Sequence, residues 1–169
     1  MYRRGFSIIE LLIVITIMGI LLTLAVVNMH GAQVNARDTE RKGDIESIAL
    51  NLEAFYKTGI DSTTVFGRYP STGLAGGSAT SITSALRDAD LKSFTPPGAS
   101  SYTTGFLAAT NNVQSTSGVL PQPTLNTYIY QPLRQDGTLC NDYTYCQKFN
   151  LYYMLEADNT VYMVTSKNQ

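Results

Sequence analysis

The chain has 169 residues, 12 Lys and Arg against 13 Asp and Glu, a single His and two Cys. A formal charge of −1 excludes a general electrostatic attraction for nucleic acid or anionic lipid. Apart from one long apolar run, the length leaves room for one modest domain.

That run comes first. Residues 6–27, FSIIELLIVITIMGILLTLAVV, contain one charge, Glu10, and no Lys, Arg, His or Pro. A helix of this length rises about 33 Å, enough for a hydrocarbon core of about 30 Å. It is apolar on all sides, unlike the one-striped face of a soluble helix. Arg3 and Arg4 precede it, which places the N-terminus in the cytoplasm and the rest of the chain outside. A cleaved secretory signal is shorter and closes on a small-x-small site, which is missing here. A plain membrane anchor leaves Glu10 unexplained, because an acidic group inside an apolar helix is costly without a partner. The run holds no cation. A backbone amine would serve if the chain were cut between Gly5 and Phe6, since Phe6 and Glu10 lie four apart on one helix face.

The segment Arg3-Arg4-Gly5-Phe6-Ser7-Ile8-Ile9-Glu10-Leu11-Leu12-Ile13-Val14 resembles the class III signal of type IV pilins and pseudopilins. The resemblance covers about the first 58 residues closely and the remainder only as a layout. It implies a leader, residues 1–5, removed after Gly5 by a prepilin peptidase. It also implies methylation of the new N-terminal Phe6, and a role for Phe6 and Glu10 in subunit assembly. Loss of Arg3 and Arg4 takes the basic residues from 12 to 10, a formal −3.

Residues 28–58 lack Pro, and Ile45, Ile48, Ala49, Leu52, Phe55 and Tyr56 form one stripe at helical period. The opposite face carries Asp44, Glu46, Asn51, Glu53 and Lys57. The spacing predicts one helix over 6–58, about 80 Å long, with a membrane half, 6–27, and an amphipathic half, 28–58. Gly59 is its expected stop. The mixed charges of 37–42 have two readings. They form a solvated surface with weak intrahelical pairs, or they pair between neighbouring subunits.

Residues 59–126 read as a variable region of loops, with a short helix predicted at 81–94 and Ser81 as a candidate N-cap. Residues 111–117 are expected as an exposed loop. Residues 127–169 carry strand signals at 127–133, 148–157 and 160–166, with a turn at 157–159. This predicts a three-stranded antiparallel meander whose apolar face packs on the stripe of the long helix. The fold class is therefore α+β, a long N-terminal helix on a small antiparallel sheet.

Cys140 and Cys146, on the outward side, read first as a disulfide and otherwise as two thiolate metal ligands. Asp136 and Asp142 make a weak calcium candidate, because Asp136-Gly137 is first a turn signal. His30 has no catalytic companions, and neither a Ser/His/Asp arrangement nor a phosphate loop is present. The reading is thus non-enzymatic, with no cofactor. The chain is expected to be a structural subunit of a type IV pilus-like filament for adhesion, motility or DNA uptake. Its partners would be further copies of itself, the peptidase, the assembly machinery and, before assembly, the cytoplasmic membrane, with nucleic acid only as cargo. A pseudopilin of a secretion system is the neighbouring alternative. A single-pass membrane protein with an exported binding domain is the more distant one.

Overall fold

The computed structural model describes residues 5–59, 66–141 and 146–168, with the backbone alone at 27 and 28. Helix α1 runs from Ile8 to Thr58 and stops at Gly59, whose φ of +64° suits glycine and whose N–H reaches the Phe55 carbonyl at 2.7 Å. The chain divides into two compact units, Met1–Ala36 and Arg37–Gln169. The first holds the apolar half of α1. The second holds the rest of α1, α2 (Ala79–Ala85), α3 (Tyr102–Gly105) and a sheet.

The α+β expectation is met, and the sheet has a fourth, parallel strand. Strands β1 (Phe106–Ala108), β2 (Tyr128–Leu133), β3 (Lys148–Met154) and β4 (Val161–Thr165) lie in the order β1-β2-β3-β4. The last three form the predicted antiparallel meander, and β1 adds alongside Tyr128–Tyr130 in parallel. Pro132 lies in a central strand, where proline is rare. It falls beyond Tyr130, the last partner of β1, and its carbonyl accepts the Cys140 N–H at 2.9 Å.

The helical stripe and one sheet face form the main core. Ile45, Ile48, Leu52 and Phe55 cluster with Tyr128, Tyr130, Phe149, Leu151 and Tyr153. Tyr69 packs on Tyr56 and edge-on to Phe149, both at 4.8 Å between ring centres. The other sheet face is covered too. Ile129 and Tyr152 pack with Ala109 and Val119 from the connection after β1. Gln131 Nε2 donates to the carbonyls of Asn111 and Val113, and Gln131 Oε1 accepts from Asn150 and Tyr152. The loop at 111–117 is largely exposed, as expected, yet these bonds tie its backbone to the sheet.

The helix predicted at 81–94 is two pieces. Ser78, not Ser81, caps α2 by accepting from the Ser81 N–H. A 3₁₀ turn at Leu91–Phe94 is capped separately by Asp90, whose carboxylate takes the Lys92 N–H. That side chain offers the backbone a competing bond, and the helix does not run through it.

Neither reading of the charged run fits Arg37, Asp38 and Arg41. Arg41 is 1% exposed and Asp38 5%, and their partners lie in the same chain. The Arg41 guanidinium donates to Asp38 at 2.9 Å and to the Leu125 carbonyl at 3.1 and 3.2 Å. Asp38 accepts from the Glu156 and Ala157 N–H groups at 2.8 and 2.9 Å, which fastens the β3–β4 turn. Arg37 meets Glu156 with two bonds, at 2.6 and 2.8 Å, near the surface. Glu40, paired with Lys92, and Lys42 do lie on the exposed surface.

The polar face of α1 also departs from the solvated expectation at two places. Glu53 is buried and accepts from Tyr69 Oη, the Lys167 N–H and Asn168 Nδ2. Asp44 is half-buried and accepts from Tyr128 Oη at 2.9 Å. Burial pushes the Asp44 carboxyl up to about 6, against the opposing pull of the Tyr128 bond.

Two outcomes follow. Arg41→Met leaves Asp38 buried beside a neutral side chain and should lower stability by about 3 kcal/mol, whereas Arg37→Ala, which breaks a pair nearer the surface, should cost less. Urea unfolding of the full chain in detergent measures both. For Asp44 the folded state favours the protonated form. Its contribution is fully present below about pH 4 and is lost as pH rises through about 6. Asp44→Asn should therefore flatten the fall in thermal midpoint between about pH 4 and 6. An unchanged slope in the variant would remove Asp44 as its cause.

Candidate functional site

Gly5, Phe6 and Ser7 precede the first turn of α1 and are not helical. The helix starts at Ile8 because Ser7 caps it. Ser7 Oγ accepts from the Glu10 N–H at 3.2 Å, and Glu10 Oε2 accepts from the Ser7 N–H at 2.9 Å. The Leu11 N–H closes the first turn on the Ser7 carbonyl at 3.2 Å. This is a reciprocal capping box, and it satisfies donors that a helix start leaves open. The signature Ser-x-x-Glu stood in the sequence, but the apolar surroundings drew attention to the charge of Glu10 and away from its spacing. Ser7 is the capping residue that the sequence reading left out.

The Phe6 side chain is 86% exposed. A Cβ at Gly5 would meet no atom of the described residues within 4 Å, so no contact among them calls for glycine there. Any need for Gly5 comes from a surface that binds this segment. Arg3 and Arg4 lie outside the described residues. Glu10 is brought together with Ser7. The amine envisaged as its partner does not exist while Gly5 remains joined to Phe6.

Beyond Glu10, large apolar side chains at 11–26 stand 42–68% exposed on every side of the helix. Thr16 and Thr23 turn their hydroxyls onto the Ile13 and Ile20 carbonyls at 2.8 and 2.7 Å, which hides two polar groups from an apolar solvent. Among the described residues α1 is the one helix long and apolar enough to cross a membrane. His30 is exposed.

In the second unit Cys140 and Cys146 are disulfide-bonded, with Cα atoms 5.5 Å apart, so the thiolate reading falls. Both are buried. Their carbonyls accept from the Thr72 and Tyr69 N–H groups, at 3.2 and 2.9 Å, so the bond anchors the segment leading into the 3₁₀ turn at Thr72–Leu74. The Asp136 carboxylate is taken up by Thr138, with 2.7 Å to Oγ1 and 2.9 Å to the N–H. Those two bonds hold it below the ordinary carboxylate range. Asp142, the other half of the calcium candidate, lies outside the described residues. Among the described residues no group of three or more His, Cys, Asp and Glu is placed to hold a metal.

No curated protein and no solved structure matches the chain. Residues 1–26 match the family model described as the prokaryotic N-terminal methylation motif. The Gly5-Phe6 junction and the capped, apolar first part of α1, to residue 26, lie within that match, and the chain therefore carries the class III prepilin signal of type IV pilins and pseudopilins.

Proposed function

We propose that this chain is the precursor of a structural subunit of a type IV pilus-like helical filament. Residues 1–5 are the leader, cut after Gly5 on the cytoplasmic side, and Phe6 is methylated. Residues 6–27 hold the subunit in the cytoplasmic membrane, N-terminus inside, and then enter the filament core. Residues 28–58 continue the helix into the exported part, 59–126 form its variable region, and 127–169 its sheet. The partners are the peptidase, the assembly machinery and further copies of the subunit. The work is mechanical, and no step needs a cofactor.

The observation that carries the reading is the bare apolar surface of α1 directly behind an exposed Gly5-Phe6 junction. Such a surface has two natural covers, lipid and other helices of the same kind. A subunit that moves from membrane to filament exchanges one for the other. Glu10 then sits where a carboxylate can meet the new Phe6 amine of its own chain or of a neighbour. In a water-free core that pairing offsets a desolvation that an unpaired carboxylate could not bear.

The test is intact mass of membrane and sheared surface fractions from cells expressing parent and variants. The parent should appear in sheared fibres as a chain beginning at methylated Phe6. Gly5→Val should remain full-length in the membrane. Glu10→Leu should be inserted and cut but depleted from fibres at least tenfold, with Glu10→Gln less affected. Normal processing of Gly5→Val, or parental incorporation of Glu10→Leu, would sink the reading. Processed parent that yields no long fibres would favour the pseudopilin alternative.

A further inference from the structure

Cleavage between Gly5 and Phe6 needs that peptide bond to be reachable, and a helical peptide bond is not. Peptidase clefts bind extended backbone, whereas a bond inside the first turn has its carbonyl committed to the helix. In this chain the non-helical stretch ends at Ser7, one residue after the bond's Phe6 side. The boundary falls there because Ser7 turns its own hydroxyl onto the Glu10 N–H while Glu10 turns its carboxylate onto the Ser7 N–H. Between Gly5 and Ile8 stand only Phe6 and Ser7, and neither is a Gly or Pro that would stop the helix from growing toward Gly5.

We propose that Ser7 is a positioning residue for processing. Resting on the cleavage proposed above, the inference is that its side chain fixes the start of α1 at Ile8 and so holds the Gly5–Phe6 bond outside the helix. The substrate class is the unwound, exposed dipeptide junction in front of a capped membrane helix. The reaction is hydrolysis. Water adds across the amide, Gly5 leaves with a carboxylate, and Phe6 gains the amine. Ser7 touches none of the reacting atoms and acts only through the backbone it caps.

Alanine at position 7 removes the hydroxyl that takes the Glu10 N–H and is itself the best helix former. The helix can then extend through Phe6. Aspartate caps as well as serine and shares little of its shape, which separates capping from direct recognition of a serine by the peptidase.

The experiment uses full-length precursor in membranes with a prepilin peptidase, and follows cleavage by intact mass over time. Ser7→Ala should be cut about five- to tenfold more slowly, the scale expected when an N-cap is lost. Ser7→Asp should be cut within about twofold of the parent rate. Amide exchange on the uncut chains should show Ile9, whose N–H takes the Gly5 carbonyl once the helix extends, gaining protection in Ser7→Ala and not in Ser7→Asp. Parental cleavage of Ser7→Ala overturns the proposal, and so does Ser7→Asp as slow as Ser7→Ala. Slow Ser7→Ala without the change in exchange also overturns it. These outcomes leave the processing reading standing. Failure of the parent to be cut at all defeats that reading instead.

Discussion

An apolar helix bare on every face does not stay in water. Each large side chain of the 8–26 segment left exposed forfeits about 1 kcal/mol or more of burial free energy, and the segment has them at nearly every position. The second unit completes its own core with Ile45, Ile48, Leu52 and Phe55. The cover has to come from elsewhere. That demand sets what the remaining features must do. The hydroxyls of Thr16 and Thr23 return to the backbone, and the first turn is closed by Ser7 and Glu10. The carboxylate that remains is the one group in the segment with chemistry to offer.

The second unit solves a different problem, fastening a small sheet to a helix at both ends. At one end Asp38 holds the β3–β4 turn by two backbone N–H groups, and Arg41 neutralises Asp38 while holding the Leu125 carbonyl. At the other, Glu53 gathers Tyr69, Lys167 and Asn168, and the disulfide anchors the segment that carries Tyr69. Between the two clamps the contact is apolar. Buried charge is a costly fastening, but each of these carboxylates meets several donors, so desolvation is offset by bonds in a low dielectric.

The periodic parts of this fold were legible. The stripe from Ile45, the alternation of Phe149, Leu151, Tyr153 and Leu155, and the turn at 157–159 each repeat one signal several times. The parts built on a single long-range contact were not. Strand β1 is three residues, too short for a period, and its partner is a parallel strand. Arg41 meets Leu125 across 84 residues and Glu156 across 115, and nothing local announces either. One signal was present all the same. Asp38 and Arg41 continue the spacing of Ile45, Ile48 and Leu52 toward the N-terminus, so the face that buries the apolar stripe also buries them. A charge that falls in register with a core stripe is a candidate for a buried clamp, whatever its neighbours on the other face are doing. At the site, Gly5, Phe6 and Glu10 were legible as a motif, and the role of Ser7 was legible only through its three-residue spacing from Glu10.

Glu10 has two oxygens, and they need not share one task. Oε2 takes the Ser7 N–H, and that bond survives a cut between Gly5 and Phe6 because the Phe6–Ser7 peptide is untouched. The cap therefore persists in the mature chain. The proposed cut would place a positive amine one residue in front of the N–H that already holds the carboxylate. A carboxylate fixed by its own backbone has little rotamer freedom left to lose when a cation docks, which is the advantage of preorganisation. The two tasks are chemically separable. Glutamine can still accept the Ser7 N–H, since a capping box admits either residue, but it brings no charge. Leucine can do neither. A helix start that needed only a cap would be indifferent to the first change, and an assembly contact that needs charge would not.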